Sequence, residues 1–304
     1  MGSVFYLTKR NCMVFLRDRS AVFFSVLSMM IVLGLMVVFL GKMNSDSLVD
    51  LLAEFGGERD RTLDERNAAY LIQLWTLGGI LAVNSVTVTL TVLGNMVRDE
   101  TRKRIMAFYV TPVDRVKLSL GYILSSWLVG TGMCVLTLAA GEVYFLARGY
   151  GLLSAASLLK MVGIIALCAF TFSALGYLLA LFIHSDSAWG GLLTVIGTLV
   201  GFLGGIYLSL GSLSEGLQNV LKCIPVLHGT AMLRFVCTEA AIRETFAGLP
   251  DMAGDIFRKE MGVTLFLGDK EIMPWEQVAF LLVYAIIAIV AAALVNKRRK
   301  LKDR

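Results

Sequence analysis

The chain has 304 residues, of which 57% are hydrophobic and only 17% charged, with a mean hydropathy of +0.75. A soluble globular chain carries about 45–50% apolar and about 25% charged residues, so the apolar surplus must face a bilayer. That excludes a disordered chain, a disulfide-stapled secreted domain and an ordinary cytosolic enzyme. The net charge of +5 reads as basic loops on one membrane face, not as a nucleic-acid footprint.

Residues 4–19 mix aromatic and aliphatic side chains with Lys9, Arg10, Arg17 and Arg19. This pattern predicts a helix lying in the membrane interface. A bilayer core of roughly 30 Å takes about 20 apolar helical residues, and 20–41 is the first such stretch. It is too long for a signal-peptide core, and no small-residue cleavage site follows it. Loop 42–70 is acidic, with Asp46, Asp50 and Glu54 four apart, and is expected as a solvated, exposed helix.

The second span, 71–97, carries Asn84, Thr87, Thr91 and Asn95 on one helical face. Polar groups in hydrocarbon turn toward protein or water, so this face serves interhelical hydrogen bonding or lines a pathway. After it, Asp99 and Glu100 are expected at the start of a short helix, where acids suit the dipole. That helix sets Arg102, Lys103 and Arg104 beside an apolar face of Ile105, Phe108 and Tyr109. Thr111 precedes Pro112, a stop signal.

The third span is 118–147, and Glu142 near its end is expected at the outer interface, reaching water, or lining the path. The fourth span, 161–183, and the fifth, 187–214, are joined by His184, Ser185 and Asp186, a turn that predicts an antiparallel neighbouring pair. The fifth holds Gly197, Gly201 and Gly205, a ridge of small residues that lets another backbone approach, and Phe202, a further pathway candidate. Segment 215–276 is expected as an outer cap. Its first part is apolar and broken at Pro225, which predicts two short half-helices dipping into the outer leaflet. The last span is 277–296. Lys and Arg gather on the side holding both termini, which makes that side the cytoplasm.

No P-loop is present: the only Gly-Lys pair, Gly41-Lys42, has Met36 where the first glycine belongs. His184 and His228 fall in different compartments, so no histidine dyad forms. No metal framework is legible. Cys223 and Cys237 are either bridged or buried as free thiols. The chain is therefore expected not to be an enzyme by itself and to bind no cofactor.

Six spans, inner termini, an interfacial first helix, an amphipathic helix after span two and apolar half-helices before span six form an all-α polytopic pattern. It resembles the permease subunit of the ABC type-2 exporter family. The most specific piece is RDETRKRIMAFYVTPVDRVKLSLG, with the turn Thr111-Pro112-Val113-Asp114-Arg115; RDRSAVFFSVLS resembles the family's entry to span one. The resemblance implies a single transmembrane domain in a bacterial inner membrane, paired with a second permease copy, a homodimer. It implies two copies of a separate ATPase subunit that hold the ATP and Mg, membrane lipids around the spans, and no nucleic acid. Arg98, Asp99, Glu100, Arg102, Arg104, Ile105, Phe108, Tyr109, Thr111 and Pro112 would form the coupling helix that contacts the ATPase. The substrate would be amphipathic or hydrophobic: a drug, lipid, peptide or glycolipid. Two other classes stay open on the residues alone, a transporter without an ATPase and a membrane sensor or immunity protein binding a peptide at its outer cap. No ionisable group sits at mid-span, which weighs against ion coupling.

Overall fold

In the computed structural model, residues 2–35, 41–55, 60–105, 114–205, 207 and 209–302 are described. Among them stand eleven α-helices, one 3-10 turn and a single two-stranded hairpin. α1 (Gly2–Arg17) is amphipathic: Leu7, Asn11 and Phe15, four apart, are buried, while Phe5, Tyr6 and Leu16 are exposed. Asp18 ends it and accepts a hydrogen bond from the Ala21 amide at 3.1 Å, which opens α2 (Arg19–Leu35). At 1.5 Å per residue, the 17 residues of α2 reach about 26 Å. Residues 36–40 of the expected first span lie outside the described residues.

α3 (Gly41–Phe55) corrects the expectation of a purely solvated loop. Asp46, Asp50 and Glu54 do face outward, but Leu48 and Leu52 on the other side are buried with Ala68 and Leu71 of α4. α4 (Arg61–Thr101) starts at Asp60, whose carboxylate accepts from the Thr62 and Leu63 amides. From Leu71 on it is apolar over most of its surface and buried nearly all round, and a helix of that kind belongs inside a bundle. α5 (Arg115–Ala147), α6 (Ala155–Ala180), α7 (Asp186–Leu203) and α9 (Pro225–Thr245) all pack on it.

Hydrogen bonds and ion pairs fix which ends meet. Arg98 at the end of α4 pairs with Asp18 at 3.8 Å. Asn296 of α11 (Pro274–Lys302) donates to Ser119 Oγ and Tyr177 Oη at the ends of α5 and α6. This basal end therefore gathers residues near both termini. At the other, distal end, Arg66 and Tyr70 of α4 donate to the Gly149 and Gly151 carbonyls of the α5–α6 loop. Asp18 is basal and α3 packs distally, so the chain passes between the ends before α4 begins.

Among the described residues, five helices, α4, α5, α6, α7 and α11, are long and apolar enough to cross a membrane, and the bent pair of residues 215–222 and 225–245 makes a sixth if it counts as one span. On α11, Val283, Ile286, Ile287, Val290 and Leu294 form an exposed stripe, which in a bilayer is the lipid-facing side. α7 stops at Leu203, short of the expected 214, because Gly204 caps it and Gly205 turns left-handed at φ 62°. α7 also does not pair with α6 as the short turn suggested. Its Trp189 is seated beside Gly94 of α4; the turn brings the two helix ends together and leaves their bodies free to diverge.

α8 (Glu215–Lys222) and α9 meet at a bend of 92°, with Pro225 in the first turn of α9. Gly229 lies against the Cys168 thiol at the middle of α6, so α9 begins at mid-depth and climbs back to the distal end. The dip is as expected, but only α8 is short; α9 runs for 21 residues. Its last turns, with Thr238, Ala241, Ile242 and Thr245 buried, belong to the core, not to an outer cap. α10 (Asp251–Glu260) and the hairpin of β1 (Phe266–Leu267) and β2 (Lys270–Glu271) complete the distal face. Cys223 and Cys237 are both free thiols.

Candidate functional site

The basal end of α4 is organised by one carboxylate. Asp99 is buried, and its Oδ2 accepts from Arg10 Nη1 at 2.5 Å and from Tyr122 Oη at 2.8 Å. Arg104 approaches its Oδ1 at 3.9 Å. Arg10 also donates to Asn11 Oδ1 at 2.8 Å. One acid thus ties α1, α4, α5 and the following connection together by charge-assisted bonds, which are the strong ones. Beside it, Glu100 meets His184 Nδ1 at 3.4 Å, and Thr101 Oγ1 donates to the His184 carbonyl at 3.3 Å. The α6–α7 turn is therefore attached to the same frame.

This corrects the expected helix start. Asp99 and Glu100 lie in the last turn of α4, and the chain then turns tightly, with Lys103 in the left-handed region at φ 55°. The Ile105 amide donates back to the Asp99 carbonyl at 3.2 Å, and Ile105 packs against the core. Acids at a helix C-terminus oppose its dipole; here Arg10 and Arg104 supply the compensating charge at Asp99. Arg102, Lys103 and Arg104 are exposed around this turn. Phe108, Tyr109, Thr111 and Pro112 lie outside the described residues. α5 resumes at Arg115, after Asp114.

The polar face of α4 divides. Asn84 is buried and donates to Thr137 Oγ1 of α5 at 3.4 Å, an interhelical bond. Thr87 and Thr91 bond back to the Val83 and Thr87 carbonyls of their own helix. With Val83 and Arg98 they form a partly exposed stripe on the otherwise buried stretch 71–99. Asn95 is buried, with Nδ2 unpartnered.

Glu142 is turned mostly away from water. It is buried at the distal end and accepts from the Leu153 amide at 3.0 Å, pinning the α5–α6 loop. Phe202 is half exposed and sits edge-on to Tyr207 at 4.8 Å. The glycine ridge also divides. Gly205 lies beyond the helix, and a side chain on Gly201 would strike the Tyr207 ring. A Cβ at Gly190, Gly191 or Gly197 would meet nothing within 4 Å outside its own helix.

A residue not singled out in the sequence holds the distal end. Arg234 is fully buried on α9. It donates to the carbonyls of Trp75, Met261 and Gly205 at 3.3, 3.3 and 3.0 Å, and lies 3.7 Å over the Trp75 ring. Among the described residues no carboxylate pairs with it. Its compensation is the convergence of two helix C-termini, those of α7 and α10, each carrying roughly half a negative charge, plus an aromatic face. Gly78 makes room, since a Cβ there would lie 3.0 Å from the Arg234 amide nitrogen. The signal available in sequence was a lone arginine in an apolar run.

The profile of a family described as "ABC-2 family transporter protein" matches residues 57–294, from just before α4 into the last turns of α11. The chain belongs to the ABC-2 transporter family. It is a multi-pass membrane permease, and the expected resemblance is confirmed. The match leaves out α1 to α3, so the Arg17 to Ser28 stretch lies beyond it. Comparison with curated proteins returns no match. In the permease, the matched region contains Asp99, Tyr122 and the distal clamp on Arg234, whereas Arg10 of the basal frame lies outside it.

Proposed function

We propose that the permease carries an amphipathic or hydrophobic substrate out of the cytoplasm, driven by a separate ATPase subunit that docks at the basal end. The single observation supporting this most is the Asp99 frame. It joins the end of the central helix to α1, α5 and the α6–α7 turn, and presents Arg102, Lys103 and Arg104 to solvent beside it. A push on the connection after α4 is thereby passed to the helices that surround the path, with the basal end as the cytoplasmic side. Thr87 and Thr91, on the accessible stripe of α4, are the pathway positions this reading favours.

The test is copurification with the ATPase, followed by substrate-stimulated hydrolysis. Phe108→Ala combined with Tyr109→Ala should remove the aromatic anchors of a docking surface. The double variant is expected to insert normally, because neither residue lies in a span, and to lose ATPase copurification or coupling by tenfold or more, a factor matching about 1.4 kcal/mol. Normal ATPase binding and normal coupled transport in it would defeat the docking proposal.

The working unit proposed is two permease copies with two ATPase subunits. α7 supports this reading. Of its residues only Trp189, Val200 and Gly201 are buried within the chain, and Gly197 opens onto empty space. Gly197→Leu is therefore expected to leave the single chain folded and to weaken permease–permease association in cross-linking or size-exclusion measurements. An unchanged dimer fraction would place that face against lipid. Gly201→Leu is a poorer probe, because it disturbs Tyr207 first.

A further inference from the structure

Between α6, α9, the hairpin and the first turns of α11 lies a cavity of about 590 Å³. That volume falls within the roughly 300–1,000 Å³ of small-molecule sites, which are mostly apolar with a few placed polar groups. Its lining has that character. Ile164, Leu167, Met232 and Val278 line its apolar part, and Lys160, Glu271 and Gln277 supply polar groups. Lys160 precedes Leu167 by two turns of α6, about 10 Å along the axis. The cavity therefore runs from a polar mouth at the level where α6 and α11 begin to an apolar floor deeper in the bundle.

The polar groups specify a headgroup. Gln277 is only 4% exposed. Its Nε2 donates to the Ile272 carbonyl at 3.1 Å, which fixes the amide orientation. Its Oε1 is buried and accepts no hydrogen bond from the protein, a state costly enough to call for a donor. Lys160 and Glu271 have no ion-pair partner among the described residues, whereas the neighbouring Lys270 is already held by Glu276 at 2.6 Å. The mouth therefore offers one cation, one anion and one orphan acceptor. Trp275, 69% exposed at the rim, suits the headgroup level of a bilayer, and the exposed apolar stripe of α11 continues inward from it.

We propose that this cavity is a binding site for a phospholipid with a primary ammonium headgroup, phosphatidylethanolamine. One acyl chain fills the apolar floor and the phosphate faces Lys160. The ammonium supplies the N–H donors that Glu271 and Gln277 Oε1 lack. A choline headgroup carries the same charges but no N–H, and a glycerol headgroup carries no cation. Placing the site in the outer leaflet rests on the proposed orientation; the binding itself does not depend on that orientation or on transport.

The experiment is native mass spectrometry of the purified full chain in detergent. Phosphatidylethanolamine, phosphatidylcholine and phosphatidylglycerol with identical acyl chains are added at equal concentration. Retention of phosphatidylethanolamine should exceed that of the other two by about tenfold, the factor one charge-assisted hydrogen bond supplies. Gly163→Phe should abolish this preference by filling the cavity, since a Cβ at Gly163 meets nothing within 4 Å. Gln277→Leu should reduce it while leaving phosphatidylcholine retention unchanged. Lys160→Ala, at an exposed position that the fold does not need, should lower retention of all three. Equal retention of the three lipids by the unmodified chain overturns the proposal. So does an undiminished preference in Gly163→Phe, which would locate the lipid elsewhere on the surface.

Discussion

Arg234→Ala is expected to be the most damaging single substitution in the permease. The guanidinium bonds the carbonyls of Trp75, Gly205 and Met261 and so joins α4, the end of α7, α9 and the end of α10. Of the three acceptors, the Met261 carbonyl keeps a second donor, Trp75 Nε1 at 2.7 Å. The Gly205 carbonyl, past the cap of α7, is the one left bare. Each buried polar group deprived of its partner costs about 1–3 kcal/mol, and the space left beside Trp75 adds a cavity penalty. A total of about 3 kcal/mol or more is expected, large against the marginal stability of a domain. Arg234→Lys should recover only part of it. A lysine keeps the charge, but a compact ammonium cannot reach three divergent carbonyls or stack on an indole. The measurement is monodisperse yield in detergent and the midpoint of thermal aggregation. A midpoint equal to that of the unmodified chain would show that the clamp contributes nothing.

The positions of the long helices were legible because the bilayer imposes a local rule. About 20 apolar residues in a row make a span whatever surrounds them, and 71–97, 118–147, 161–183 and 277–296 each fall largely within a single helix. The interfacial helix before residue 19 and the break at Pro225 were legible for similar local reasons. What failed depended on tertiary partners. Asp99 and Glu100 look like a helix start because acids favour N-termini; nothing nearby in sequence reveals Arg10, 89 residues away, holding Asp99 at a C-terminus. The glycines of span five repeat every four residues, yet Gly205 serves a turn, and Gly201 accommodates a tyrosine six residues on. Glu142 was placed at a water interface, but the Leu153 amide 11 residues ahead uses it instead. Periodicity reports which residues share a face, and the partner of that face is a property of the fold.

Arg234 shows the complementary case. Its cost in an apolar environment was visible in the sequence, but its compensation was not, because that compensation consists of helix ends. Two C-termini can converge on a guanidinium only after α7 has stopped at Gly204 and α10 at Met261. The distal end is thus closed by backbone charge, whereas the basal end is closed by side-chain charge. Arg10 is one-third exposed and the Arg98–Asp18 pair is partly exposed, so these side-chain pairs can be remade as helices shift, but a guanidinium fixed on buried carbonyls cannot. The two ends of α4 are accordingly suited to different tasks, the distal one to anchoring and the basal one to transmitting movement.

Asp99→Ala is expected to separate these tasks. It removes the acceptor of both Arg10 and Tyr122. Hydrogen bonds to a charged group are worth about 1.5–3 kcal/mol each, but the Arg10 side chain is one-third exposed and recovers water. The net loss should therefore be about 2–4 kcal/mol, borne locally by α1 and the turn after α4 while the distal clamp stays intact. Assembly in the membrane should survive. Protease or thiol-probe access to the 102–113 connection should rise, and under the proposed function ATP hydrolysis should lose its response to substrate while the ATPase remains bound. The charge exchange Arg10→Asp with Asp99→Arg restores the pair in reverse and should recover part of the coupling. Tyr122→Phe removes one bond, spares the ion pair and should cost less than Asp99→Ala. If Asp99→Ala keeps full substrate-stimulated hydrolysis, the frame only supports the fold and the force on α4 enters elsewhere. If the ATPase is lost altogether, the frame shapes the docking surface itself, and the effect should then match that of the Phe108 and Tyr109 double variant.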